Sequence, residues 1–381
     1  MLEPSTWTTC SARLQPDDGR EGSEEGGVVI SERLLTIARC PDCGGRLAAA
    51  GVEAAACRGC GRAFAGTAGY LDLRPRTAFD EQTRYLDEAL HADARHERVS
   101  PPLLASGVRH AMLLKFLRPG PSDAVIDLGC GSGRTLVWNQ ESGAYQVGVD
   151  VSPFFAREAL SGPDLALGDL RSLPFADGAF TKGYALDVFE HLSREGLAGV
   201  LREAARVLQP GGRLFVYSHV RKNSRLALGL RLINRVTGLM HRLGVLDLTQ
   251  EHLRKSDHLN PLADIPDLEQ VVGEAGFRVA RIRYYTPLVG GFIENILVRT
   301  AERWMARRAA ASEGGGGERR ECGDRAAYTR VARKEAQDWI ARGGVVLAGL
   351  RALTFVMKID VLLFGRVRSG PFFALLEKRA E

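Results

Sequence analysis

Three glycines at alternate positions, directly after an apolar run that closes on an acid, constrain this chain more than any other feature. The run reads Val125-Ile126-Asp127-Leu128-Gly129-Cys130-Gly131-Ser132-Gly133. It is how a parallel β-strand turns sharply into a helix while leaving its backbone bare. A side chain at any of these glycines is expected to block the close approach of a nucleotide-like molecule. The helix should begin near Arg134, with its first N–H groups facing the same crevice.

The flanking pattern alternates strand and helix. Strands are predicted over Ala124–Leu128, Tyr145–Asp150, Leu165–Leu167, Phe180–Leu186 and Arg213–Ser218. Helices are predicted over Leu103–Leu117, from Ser152-Pro153 onward, and over Arg194–Leu208, the last stopped by Pro210-Gly211-Gly212. A helix over Ile265–Ala275 and a strand over Phe277–Tyr285 follow. Residues 290–310 and most of 328–365 read as helical. Pro371–Lys378 reads as a seventh strand, returning after that excursion to pair antiparallel with the sixth. The expected fold is α/β: a doubly wound, mostly parallel seven-stranded sheet of the Rossmann-like kind. The expected layout is a disordered tail (1–29), a small metal module (30–75) and the core (79–285). A helical insertion (286–370, with a flexible glycine-rich linker at 311–325) and the last strand with the C-terminus (371–381) complete it.

The chain has 381 residues, 45% hydrophobic and 25% charged, so a globular core in about two domains is expected. A net charge of +5 over this length does not by itself indicate a polyanionic partner. Seven cysteines, an odd number, include the pairs Cys40-x-x-Cys43 and Cys57-x-x-Cys60. Two such knuckles bring four thiolates to one point, which suits tetrahedral Zn2+ in a closed structural site within a reducing cytoplasm. So small a module is expected to draw its folding energy from the metal. The first 27 residues lack an apolar run of the secretory kind.

Asp150 closes the second predicted strand about twenty residues after the glycine turn, where a dinucleotide fold holds ribose hydroxyls. NAD and S-adenosylmethionine both fit that placement, and the spacing Gly-x-Gly-x-Gly favours the second. Val125–Gly133, Gly148–Ser152 and Gly168–Phe180, then Asp187-Val188-Phe189-Glu190-His191-Leu192 and Leu208–Leu214, occur in order. Together they resemble the motifs of class I S-adenosylmethionine-dependent methyltransferases of the ubiquinone-biosynthesis type, over about residues 80–285. The N-terminal segment resembles zinc ribbons fused to such enzymes. The resemblance implies that Asp127 and the backbone at Gly129, Gly131 and Gly133 lie by the methionine end. It places the ribose hydroxyls on Asp150 beside Val151, and the adenine edge on Asp169 and the Leu170 amide. Asp187 would border the methyl group.

Methyl transfer from a sulfonium asks chiefly for in-line positioning and exclusion of water. Where the acceptor must lose a proton, His219 after the fifth strand, His252 in the following loop, and Asp187 are the candidate catalytic groups. The expected acceptor is a small or lipid-linked molecule. A basic stretch without an acid (Arg221, Lys222, Arg225, Arg231, Arg235, Arg242) carries apolar residues at helical spacing. It reads either as a lid or, with 345–365, as a peripheral membrane contact; the segment 221–244 favours the lid. Methylation of rRNA or tRNA is the rival enzymatic reading, resting on the ribbon and these basic residues. A non-catalytic activator or scaffold is the third, and the intact glycine turn with Asp127 and Asp150 argues against it.

Overall fold

The computed structural model describes residues 30–51, 54–67, 69–76, 99–221, 258–285, 289–301, 342–368 and 370–380, with isolated positions between 235 and 242 and at 304 and 340. The strands are β1 (Leu47–Ala49), β2 (Ala54–Cys57), β3 (Ala63–Thr67), β4 (Tyr70–Asp72), β5 (Ala124–Leu128) and β6 (Tyr145–Asp150). They continue with β7 (Asp164–Leu167), β8 (Phe180–Leu186), β9 (Leu208–His219), β10 (Phe277–Tyr284) and β11 (Pro371–Lys378). The helices are α1 (Glu32–Ile37), α2 (Leu104–Leu117), α3 (Arg134–Trp138), α4 (Arg194–Val207), α5 (Ile265–Glu274), α6 (Val289–Phe292) and α7 (Gly344–Phe364). A π-helical stretch, Ile293–Val298, continues α6.

One sheet runs in the order β1-β2-β3-β4-β7-β6-β5-β8-β9-β11-β10. The seven expected strands occupy its β7-to-β10 end, with β7, β6, β5, β8 and β9 parallel and β11 and β10 antiparallel. The expected count of seven is exceeded because the N-terminal strands join the same sheet. Strand β4 pairs in parallel with β7 through Leu71 and Ala166 and through Asp72 and Leu167. The Leu73 N–H extends that pairing to the Leu167 carbonyl at 2.9 Å.

Strand β11 lies between β9 and β10, where both faces of a strand are covered, and its apolar run shows no alternation for that reason. Phe372, Ala374 and Leu376 face one core, with Ile126, Val147 and Val216 and with Leu201 of α4 and Val271 of α5. Phe373 and Leu375 face the other, with Val125, Tyr184 and Phe215, Leu113 and Phe116 of α2 and Met357 and Val361 of α7. The first core also takes in Leu34, Cys40, Phe64 and Leu73, so the cysteine-bearing module shares the main core.

Local chemistry sets several ends. Ser193 Oγ caps α4 by accepting from Gly196 N–H at 3.0 Å. Asp264 caps α5 through Asp267 N–H at 3.2 Å, with a proline in the first turn. Helix α4 stops at Val207, and β9 begins at once. Its Pro210-Gly211-Gly212 segment bulges out of the ladder, since Phe180 pairs with Leu208 but Lys182 with Arg213.

Ser152-Pro153 does not start a helix; residues 151–163 form bends and turns. Phe154, Phe155 and Ala156 are all buried, which no single helical face of a surface helix allows. The Ala156 N–H instead donates to Ser132 O at 2.9 Å.

Helix α7 packs on α2 through Thr354, whose Oγ1 accepts from Leu104 N–H at 2.7 Å. Gly107 permits this contact, because a Cβ there would sit 2.7 Å from the Thr354 methyl. Among the described residues no helix is long and apolar enough to cross a membrane. The tail 1–29, residues 79–98 at the start of the expected core, the linker 311–325 and most of the 221–244 segment lie outside the described residues.

Truncating Phe373, fully buried and stacked on Phe215, is expected to destabilise the chain by about 3–5 kcal/mol. Denaturant unfolding of Phe373→Ala, monitored by circular dichroism, measures this.

Candidate active site

A cavity of about 400 Å³ opens at the carboxyl ends of β5, β6 and β8. Its floor is the glycine turn, and the three glycines do different work. Gly129 has φ +77°, and a Cβ there would meet Val188 at 2.6 Å. Gly133 has φ +76°, and its Cβ would meet Ala159 at 2.6 Å. These two serve chain packing. At Gly131, φ +53°, a Cβ would find nothing within 4 Å. Of the three, only Gly131 has open space at that position, while Gly129 and Gly131 both line the cavity and Gly133 does not.

The Asp150 carboxylate ties this floor to β6. Its Oδ2 accepts from Gly131 N–H at 2.8 Å, and its Oδ1 from Ser152 N–H at 3.0 Å and Ser152 Oγ at 2.8 Å. An ionised carboxylate offers about four lone-pair sites, so acceptor capacity remains. Asp127 is buried, at 2% exposure, and lines the same cavity. Burial lifts its carboxyl well above the usual carboxylate range, and the nearby Asp150 charge adds to the lift.

Val151, Asp169 and Leu170 also line the cavity. Asp169 is already engaged: Oδ1 accepts from Arg171 N–H at 2.8 Å, and Oδ2 faces the Arg171 guanidinium at 2.9 Å. Its loop is held from both sides. Arg39 N–H donates to Pro174 O and Ala176 N–H to Ile37 O, each at 2.8 Å. From α4, Glu203 accepts from Leu173 N–H at 2.7 Å, and Arg206 donates to the carbonyls of Leu173 and Phe175.

Asp187 lies on the opposite wall with φ +56°, a left-handed conformation that costs a non-glycine residue of order 1 kcal/mol or more. Its Oδ2 accepts from Arg109 Nη1 of α2 at 2.7 Å. The Arg109 guanidinium also lies over the Tyr217 ring, 5.2 Å from its centroid. Behind Asp187, buried Glu190 accepts from Ser218 Oγ at 2.8 Å and faces His219 Nδ1 at 3.3 Å. Burial alone would raise the Glu190 carboxyl, but His219 holds it below the usual range. One ligand atom each from Asp187, Glu190 and His219 lies within 4.8 Å of the others.

Asp127, Gly129, Gly131, Asp150, Val151, Asp169, Leu170 and Asp187 therefore border one cavity, whereas Gly133 packs on Ala159. His219 stands behind the wall in a pair with Glu190, and is not among the residues described as lining the cavity. His252 lies outside the described residues. The motif-based reading passed over Arg109 and Glu190. Arg109-His110 interrupts the apolar pattern of α2, and that interruption was the available signal.

At the other end of the sheet, Cys40, Cys43, Cys57 and Cys60 gather their sulfurs within 4.8 Å of one another. Cys40 and Cys60 lie 3.7 Å apart and Cys43 and Cys57 3.4 Å. Backbone N–H groups of Cys60 and Gly59 point at Cys57 Sγ and bring its thiol down to about 6. A Cβ on Gly45 would lie 2.7 Å from that sulfur, so the close turn requires glycine there.

Residues 126–216 match the methyltransferase domain family. The chain is 29% identical over 171 residues to the malonyl-acyl-carrier protein O-methyltransferase of Erwinia pyrifoliae, covering 44% of this chain and 57% of that one. It is 42% identical over 106 residues to the demethylmenaquinone methyltransferase of Mycolicibacterium vanbaalenii, covering 26% and 43%. Similarity also extends to the solved phosphoethanolamine N-methyltransferase 2 of Haemonchus contortus, at 14% identity and a TM-score of 0.42, covering 72% of this chain and 52% of that one. The chain spans about half the length of the curated relatives it matches.

The raised Asp127 carboxyl makes stability depend on pH. Above the ordinary carboxylate value the folded chain keeps a proton that the unfolded chain loses. Stability should therefore fall as pH rises toward the folded value, by about 1.4 kcal/mol per unit at most. Asp127→Asn is expected to flatten that slope and to stabilise the free protein at neutral pH. Denaturant midpoints across mildly acidic to neutral pH check both.

Proposed function

We propose that this chain transfers a methyl group from S-adenosylmethionine to a small-molecule or lipid-linked acceptor. The observation that carries the reading is the bare Gly131 backbone, open above and flanked by the Asp127 and Asp150 carboxylates within one cavity. Its volume lies in the range of sites for ligands of nucleoside size. The methyltransferase domain match spans the same strands, and the names of the two relatives support an acceptor of the small or carrier-linked kind.

The cavity's chemistry fits the donor. Asp150 keeps acceptor capacity for ribose hydroxyls beyond its bonds to Gly131 and Ser152. Asp127 would meet the donor's ammonium, whose charge favours the ionised carboxylate against burial. The Leu170 amide and the residual lone pairs of Asp169 would receive the adenine edge. When bound, S-adenosylmethionine supplies an activated methyl on a sulfonium, so the protein needs no further electrophile. Asp187, fixed by Arg109, borders the acceptor side. Where the acceptor nucleophile must lose a proton, Asp187 is the proposed base, since it lines the cavity whereas His219 stands behind that wall paired with Glu190.

The cysteine cluster is read as a structural Zn2+ site. Tetrahedral zinc with Zn–S bonds of about 2.3 Å requires sulfurs about 3.8 Å apart, close to the spacings present. Gly45 and the amides on Cys57 are the features such a site needs around its thiolates.

Calorimetry with S-adenosylmethionine tests the main reading. The wild-type chain should bind, and Asp150→Ala should lose roughly tenfold or more in affinity, the cost of a charge-assisted hydrogen bond. A wild-type chain without binding is not the proposed enzyme. For the ribbon, elemental analysis should find about one zinc per chain, lost in Cys57→Ser together with thermal stability.

A further inference from the structure

Helix α7 has two apolar faces, and the fold uses only one. Met357, Val361 and Thr354 are buried against the body of the protein. On the opposite side Val345, Val356, Ile359, Leu363, Phe355 and Leu362 fall within an arc of about 120° at the helical spacing of 100° per residue. Phe355, Leu362 and Leu363 are 64%, 67% and 65% exposed. A stripe of this size on a water-soluble surface marks an interaction site.

The charges beside it are of one sign. Arg351 and Lys358 run along one edge of the stripe, Arg342 stands at its start, and Arg366 and Arg368 follow its end, all exposed. The helix has a single acid, Asp360, which is buried beneath the Val289 and Gly290 amides. Long basic side chains flanking an exposed apolar stripe suit an interface that is greasy at its centre and anionic at its rim. A second copy of this chain suits it poorly. A twofold axis along the stripe would set Arg351 and Lys358 near their own counterparts, with no exposed acid on the helix to pair them.

We propose that the outward stripe of α7 seats this protein on an anionic phospholipid bilayer, lying in the interface rather than crossing it. Three charged positions within the helix exclude a span. The seat is coupled to the cavity by packing. Thr354 on the buried face holds the start of α2, and α2 supplies Ser106, Arg109 and His110 to the cavity wall. Burial holds the His110 ring's pKa below its usual value, and the Lys358 charge adds to that lowering against the hydrogen bond to Asn139.

Co-sedimentation of the full chain with phosphatidylcholine vesicles, with and without phosphatidylglycerol, tests the proposal. It needs neither cofactor nor acceptor, so it stands or falls separately from methyl transfer. The chain should pellet with the phosphatidylglycerol vesicles and be released by salt. Phe355→Ser with Leu362→Ser should weaken binding roughly tenfold or more. Arg351→Gln and Lys358→Gln should each weaken it about fivefold. All four positions are exposed, and unchanged thermal melting confirms that the variants stay folded. The proposal is overturned if the wild-type chain stays in the supernatant with both vesicles, or if the double serine variant binds as well as wild type. It is equally overturned if sedimentation velocity shows a dimer that the same variant dissociates, because a second copy then covers the stripe.

Discussion

The hydrogen bond from Gly131 N–H to the Asp150 carboxylate holds the functional end of this molecule together. It joins the turn after β5 to the tip of β6, and those two turns form the floor and one wall of the cavity. The carboxylate also takes both donors of Ser152, which fixes its direction. A buried acid with three donors is an ordered acceptor, so a hydroxyl arriving from the cavity meets oxygens already in place. That is the preorganisation on which binding without large rearrangement depends. Val188 against Gly129 and Ala159 against Gly133 close the same turn from the opposite side. Asp187, the residue before Val188, is thus anchored to the glycine turn through its neighbour's side chain.

The sheet shows how that anchoring is supported at long range. Strand β11 is the last element of the described chain, yet it lies between β9 and β10 and buries aromatic rings in both cores. Its register places Pro371 opposite His219 and Phe373 opposite Tyr217. The ring of Tyr217 in turn carries the Arg109 guanidinium. The Asp187 wall of the cavity is therefore incomplete until the C-terminal strand has paired. Contacts of such sequence separation are entropically costly to close, which makes β11 a late rather than nucleating element on topological grounds.

Much of this architecture could be read from residues alone, for reasons particular to each element. The β5 turn was legible because glycine at positive φ is required there. Strand β11 was legible as a returning strand from its short apolar run after Gly370-Pro371, but its place between β9 and β10 was not. The helical character of α7 and its reading as a peripheral membrane contact were legible from spacing and charge. Which residues form its buried face and which its outward stripe was not, because periodicity cannot tell which of two apolar arcs meets a neighbour. Strand β4 is only three residues, Tyr70 to Asp72, too few for a pattern, so its pairing with β7 was invisible. Ser152-Pro153 carried a sound helix-start signal that tertiary contacts overrode. The Ala156 amide goes to Ser132 and the Phe155 ring to Tyr70. Arg109 and Glu190 were missed since each works through a partner distant in sequence, Asp187 for the first and His219 for the second.

The union of the cysteine-bearing strands with the sheet gives the cysteine cluster a mechanical consequence. Helix α1, just before Cys40, bridges to the 168–177 loop through Ile37, Ala38 and Arg39, and β4, just after the ribbon, pairs with β7. At the β3–β4 turn, Gly69 lies so close to Leu160 that a Cβ would come within 2.6 Å of its carbonyl oxygen. These contacts all converge on the segments that carry Ser152, Asp169 and Leu170. The segment from Cys40 to Cys60 is therefore tied to the part of the cavity wall that carries Asp169 and Leu170. The Arg206 and Glu203 bonds from α4 hold the same loop from the opposite direction, so its position is over-determined. The cysteine cluster and the cavity are thereby joined by backbone hydrogen bonds and close packing within one sheet.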